Sequence, residues 1–189
     1  MQSLKDFILL TRPANLIIIG LTMYAMRFCI MRPMLVGQPH VELDLQLSEG
    51  LFFASVMSMV LLAAAGNIIN DYFDVRVDRI NKPRKLIIGK TVKRRVAMVA
   101  HQVINGFAVL LGLIVCWTTG FWILGIIPIF IAGSLWYYSV AFKKQVLLGN
   151  FVVALMVGII PLRAGVFELL TIAGFHGESV AGINDLVIA

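Results

Sequence analysis

The chain has 189 residues, of which 60% are hydrophobic and only 14% charged, with a mean hydropathy of +0.92. A water-soluble domain carries roughly 45–50% apolar and about 25% charged residues, so the composition excludes an ordinary soluble fold and names lipid as the solvent. The net charge of +6 would point to nucleic acid only if the basic residues shared a free soluble face. They fall instead between apolar runs, which points to membrane lipids and anionic ligands, and no nucleic acid is expected as a partner.

A membrane helix needs about 20 apolar residues, and five stretches qualify: residues 13–31, 51–70, 96–118, 121–142 and 149–172. The first follows Lys5 and Arg12 as a signal peptide would, but no small-x-small cleavage site follows it, so it reads as a retained helix. The second contains Leu62-Ala63-Ala64-Ala65-Gly66, small residues that let helices approach closely. Trp117, Phe121 and Trp122 mark one membrane interface and Trp136, Tyr137 and Tyr138 another. Pro128 and Pro161 are expected to kink their helices. Cys29 and Cys116 lie in apolar runs without CxxC spacing and are expected to be buried packing residues. Residues 173–182 read as an external loop, and residues 183–189 as the start of a sixth helix. The expectation is an all-α, polytopic transmembrane bundle, one membrane domain over residues 1–189, shortened at its C-terminus.

The basic residues test this division. Lys5 and Arg12 precede the first span. Nine more (Arg76, Arg79, Lys82, Arg84, Lys85, Lys90, Lys93, Arg94 and Arg95) follow the second, and Lys143 and Lys144 follow the fourth. With five spans these segments share one side and hold thirteen of the sixteen Lys and Arg residues. The other side carries Arg27, Arg32, Glu42, Asp44, Glu49, Glu178 and Asp185. The positive-inside rule then makes the N-terminus and the loop after the second span cytoplasmic.

That second span runs into Gly66-Asn67-Ile68-Ile69-Asn70-Asp71-Tyr72-Phe73-Asp74-Val75-Arg76-Val77-Asp78. At 100° per residue Asn67, Asp71, Asp74 and Asp78 fall within an arc of roughly 60° on one helical face. Three carboxylates so close repel one another, a divalent cation relieves the repulsion, and an all-oxygen set favours Mg²⁺. The plainer alternative is a solvated helix end whose aspartates pair with Arg76, Arg79 and Lys82. The basic run from Lys82 to Arg95 suits phosphate and also anionic lipid head groups. Arg163, a charge within an apolar run, could reach phosphate, snorkel, or pair with Glu168. His101, beside Gln102 and Asn105, is expected to make an interhelical hydrogen bond. His40 and His176 have no ligand spacing.

With Asn70, Asp71, Asp74 and Asp78 matching NDxxDxxxD without a gap, the chain closely resembles the UbiA-type prenyltransferases. Arg12-Pro13-x-Asn15, Gly66-Asn67, Asn81-Lys82-Pro83, Tyr138-Ser139, Lys143-Lys144 and Gly149-Asn150 extend the resemblance. It implies a bundle of nine membrane helices around a central cavity. It also implies Mg²⁺-dependent transfer of a prenyl group from a polyprenyl diphosphate to a lipid-soluble acceptor. Asp71, Asp74 and Asp78 would then be the catalytic metal ligands, with Asn67, Asn70, Arg12, Tyr138 and Lys143 as substrate contacts. After Asn-Lys-Pro the chain has Arg84-Lys85-Leu86-Ile87-Ile88-Gly89-Lys90, a variant resembling bacterial homologues assigned to prenylation of geranylgeranylglyceryl phosphate. The second aspartate cluster of such enzymes has no match after Asp78, so the chain alone is expected to be inactive. A non-catalytic remnant and a transporter with an Asp-lined cation path are the alternatives. The basic loop opposes the transporter, and the absence of DGx₂AR opposes a CDP-alcohol phosphotransferase.

Overall fold

The computed structural model describes residues 2–36, 44–84 and 86–188. Helix α1 (Gln2–Leu10) leads into α2 (Pro13–Ala25), which continues through a π-helical turn (Met26–Met31) into α3 (Arg32–Val36). Then follow α4 (Glu49–Asn81), α5 (Arg94–Thr118), a 3₁₀ turn (Trp122–Gly125), α6 (Ile126–Val140), a second 3₁₀ turn (Phe142–Lys144) and α7 (Val146–Ile188). Five helical segments, Pro13–Leu35, Glu49–Asn81, Arg94–Thr118, Trp122–Val140 and Leu147–Gly174, are long and apolar enough to cross a membrane. They coincide with the five stretches of the sequence, and the protein is a multi-pass membrane protein.

Helix α4 is the axis of the bundle, packing along α5 and touching α6, α2 and α7. It starts where Ser48 caps it, the hydroxyl accepting from the Leu51 amide at 3.4 Å, with Glu49 in the first turn opposing the positive end of the helix dipole. It ends at Asn81 because Lys82 precedes Pro83, and the residue before a proline avoids the helical region. The helix therefore carries the whole acidic segment well past residue 70. Its small residues do what the sequence suggests: Ala64, Ala65 and Gly66 are buried, and a Cβ on Gly66 would sit 2.9 Å from a Leu135 methyl of α6. Across α5, Ser58 Oγ donates to the Ala108 carbonyl at 2.8 Å and Gly112 leaves room for Ser58 and Pro128. His101 Nδ1 donates to the Ala65 carbonyl at 2.9 Å, the expected interhelical bond.

Several expectations are corrected. No external loop interrupts residues 173–182, and no separate helix begins at 183, because α7 runs continuously from Val146 to Ile188. The segment lacks proline, and isolated glycines cost a helix only about 1 kcal/mol each. Cys29 is exposed on the bundle surface, while Cys116 is buried as expected. Pro128 lies in the first turn of α6, where a missing N–H is tolerated. Expectations for His40, Glu42 and Lys85, and for the side chains of Lys144, His176, Glu178 and Asp185, lie outside the described residues.

The two ends of the bundle differ. At one end α1, α4, the first turn of α5 and the loop of residues 86–93 enclose a small core of Leu10, Ile68, Val75, Ile88, Val92 and Ala97. At the other, Arg27 is buried against the Phe52 ring (4.3 Å) with Glu168 beside it (3.8 Å). Glu168 also accepts from the amides of Gln46 and Leu47. Arg27 and not Arg163 is therefore the partner of Glu168.

Candidate active site

The site forms at the first of these ends, on the last turns of α4. Its acidic side chains do not pair with Arg76 or Arg79, which are exposed and make no ion pair among the described residues. Their partners come from far along the chain. Arg12 Nη2 donates to Asp71 Oδ1 at 2.6 Å, and Lys143 Nζ to Asp74 Oδ1 at 2.7 Å. These pairs bring the N-terminal segment, the motif and the loop after α6 to one end, as the distribution of basic residues requires.

Arg12 is held in place by backbone geometry. Of the described non-glycine residues it alone has positive φ (φ 56°, ψ 65°), in the break between α1 and α2 just before Pro13. Such a conformation costs on the order of 1–3 kcal/mol and persists where the surroundings enforce it. Here Asn67 Nδ2 donates to the Thr11 carbonyl at 2.8 Å, fixing the segment one residue before Arg12. Asn67 thus reads the backbone that presents the arginine to Asp71.

Asp71 and Asp78 face a small space of about 20 Å³ bounded by Leu10, Leu86, Ile87 and Ile88. The loop that supplies these isoleucines closes on itself through the Gly89 amide and the Val92 carbonyl (2.8 Å), with Gly89 at φ 90°. The three aspartates share one helical face but are turned to different partners. Among the described residues no three carboxylate, imidazole or thiol groups converge as a metal cage. The oxygen-only donor set still suits a hard cation, because Asp71 and Asp74 are neutralised by long flexible side chains that can leave them.

Beside the motif opens a cavity of about 320 Å³ between α2, α4, α6 and α7. This is within the range of small-molecule sites, about 300–1,000 Å³. Its mouth is polar, with Arg12, Asn67, Asn70, Tyr138 and Ser139; its interior is apolar, with Ile19, Met59, Ala63, Leu135, Met156 and Ile160 among the lining residues. Four of the eight residues singled out in the sequence, Arg12, Asn67, Asn70 and Tyr138, thus line one opening. Asp71 is tied to it through Arg12, Asp71 and Asp78 face the separate small space, and Asp74 is held by Lys143. The apolar lining went unread. On α7 it recurs as Val153, Met156, Val157 and Ile160, a helical spacing, but in a span that is apolar all round no period separates a cavity face from a lipid face.

Comparison with known proteins agrees with this architecture. A model of the UbiA prenyltransferase family matches residues 16–175. The digeranylgeranylglyceryl phosphate synthase of Thermococcus sibiricus is 29% identical over 166 residues, 87% of this chain and 53% of that protein. The enzyme of the same name from Sulfolobus acidocaldarius is 37% identical over 109 residues, 56% of this chain and 36% of that one. A solved structure concerned with digeranylgeranylglyceryl phosphate synthase in membranes has a TM-score of 0.67 at 24% identity, covering 89% of this chain and 54% of that one, a likeness of fold. The chain spans about half the length of the Thermococcus relative. With its motif, its spans and the family match in agreement, the chain belongs to the UbiA prenyltransferase family.

Proposed function

We propose that the site binds a prenyl diphosphate and serves transfer of its prenyl group to a lipid-soluble acceptor. The observation that carries this is one opening with two chemistries: a mouth of amides, hydroxyls and the Arg12 guanidinium, which is paired with Asp71 of the acidic motif, and an apolar cavity behind. An amphiphile with a polyanionic head and a hydrocarbon tail matches both. The names of the relatives favour geranylgeranylglyceryl phosphate over an aromatic or quinone precursor as acceptor.

Asp71, Asp74 and Asp78, with Asn67 and Asn70 adjoining, are the groups that would hold Mg²⁺. When bound, the ion would supply Lewis-acid assistance to departure of diphosphate. Arg12 and Lys143 hold Asp71 and Asp74 while the mouth is free of phosphate. A diphosphate gives each cation a stronger, doubly anionic partner, so both can turn to it and release the carboxylates. Tyr138 lies at the mouth, where its hydroxyl can meet the head group or acceptor. The apolar walls exclude water from the prenyl carbon. The excess of Lys and Arg at this end supports a cytoplasmic mouth and N-terminus.

The test is binding of geranylgeranyl diphosphate to the purified chain in lipid nanodiscs, with and without Mg²⁺. Binding should require the ion, and Asp71→Ala or Asp74→Ala should weaken it at least about tenfold, a cost of about 1.4 kcal/mol. Equal binding by the parent and both variants refutes the metal site.

A further inference from the structure

We infer that Met59, braced by Arg163, is the floor of the cavity and sets how long a prenyl chain fits, an inference that rests on the prenyl diphosphate reading above. The lining residues of α4 descend turn by turn from the mouth: Asn70, Asn67, Gly66, Ala63 and last Met59. From α7 the deepest lining residue is Ile160. One turn below Ile160, Arg163 crosses beneath the floor, only 1% exposed. Its Nε donates to Ser55 Oγ at 3.2 Å, and its Nη1 lies 3.7 Å from the Met59 sulfur. Its Nη2 has no hydrogen-bond partner, and among the described residues no carboxylate pairs with it.

This layer stops a hydrocarbon tail for a physical reason. A buried guanidinium is costly unless polar groups face it. A prenyl tail pushed past Met59 would displace the thioether and the Ser55 hydroxyl and offer no acceptor in return. The depth is also informative. The eleven residue steps from Asn70 to Met59 rise about 16 Å at about 1.5 Å each. An extended chain advances about 1.2 Å per bond, from about 3.5 Å per three-bond residue, so a four-bond isoprene unit spans about 5 Å. With the first unit at the polar mouth beside Asn70, three more fill the depth. Four units are a geranylgeranyl chain. Arg163 is a positioning residue in this account, acting through Met59.

The experiment is competition among geranyl, farnesyl, geranylgeranyl and geranylfarnesyl diphosphates for the whole chain in nanodiscs with Mg²⁺. For the parent, affinity should climb to geranylgeranyl and fall for geranylfarnesyl. Met59→Ala should shift the preference about tenfold toward geranylfarnesyl, and Arg163→Met should shift it the same way. Met59→Trp should shift it about tenfold toward farnesyl, so that loss of folding in the arginine variant leaves two opposed tests standing. An unchanged length preference in both Met59 variants, with binding intact, overturns the floor alone. Failure of every prenyl diphosphate to bind a chain that unfolds cooperatively on heating overturns the underlying site and this inference with it.

Discussion

Removing one partner of the buried pair at the end opposite the motif should cost far more than removing both. Glu168 has no exposed surface and Arg27 is 2% exposed. In Glu168→Leu, the buried Leu47 amide loses its acceptor (3.1 Å), a penalty of about 1–3 kcal/mol. The Gln46 amide, on an exposed residue, can turn to water. Arg27 keeps the Leu47 carbonyl and the exposed Glu49 at 3.2 Å, but its Nε loses its facing carboxylate. Breaking a buried ion pair from one side costs about 3–5 kcal/mol, and the orphaned amide is part of that total. At about 2–4 °C per kcal/mol for a chain of this size, Glu168→Leu should melt about 6–20 °C below the parent. Adding Arg27→Met removes the stranded charge and restores apolar contact with Phe52, so the double variant should regain at least half of the loss. The assay is thermal unfolding in one detergent at one scan rate, since membrane-protein unfolding is commonly irreversible and rate-dependent. A Glu168→Leu variant that melts with the parent, or a double variant as unstable as the sum of the two singles, refutes the reasoning.

Three further outcomes follow from the site. Arg12→Met should tighten Mg²⁺ binding in the absence of diphosphate, because the ion no longer competes with a guanidinium for Asp71. The pair is partly exposed and worth about 0.2–1 kcal/mol, so calorimetry should read a gain of about 1.5- to 5-fold, together with weaker diphosphate binding. Gly66→Val should cost about 1–3 kcal/mol through collision with Leu135, and Leu135→Ala in the same chain should recover part of it in thermal unfolding. A cysteine at Lys90 in a Cys29→Ser background should react with an impermeant thiol reagent in inside-out but not right-side-out vesicles. The reverse pattern would contradict a cytoplasmic mouth.

The five spans were legible in the sequence because lipid imposes a length and an apolar composition on any helix that crosses it, and the Lys and Arg distribution fixed which connections share an end. The one-face spacing of Asn67, Asp71, Asp74 and Asp78 was legible too, since it depends only on the helical period and α4 continues through it. Other features depended on packing. The partners of Asp71 and Asp74 lie 59 and 69 residues away along the chain, and no local pattern chooses Arg12 and Lys143 over Arg76 and Arg79. Arg27 takes Glu168 by the same logic of long-range packing, leaving Arg163 beneath Met59. The cavity wall is the clearest case: Met59, Ile131, Met156 and Ile160 are chemically ordinary residues of apolar spans, and only the meeting of four helices distinguishes them from their lipid-facing neighbours. Sequence periodicity reports a contrast between polar and apolar surroundings; where lipid and cavity are equally apolar, that contrast vanishes and tertiary structure alone decides.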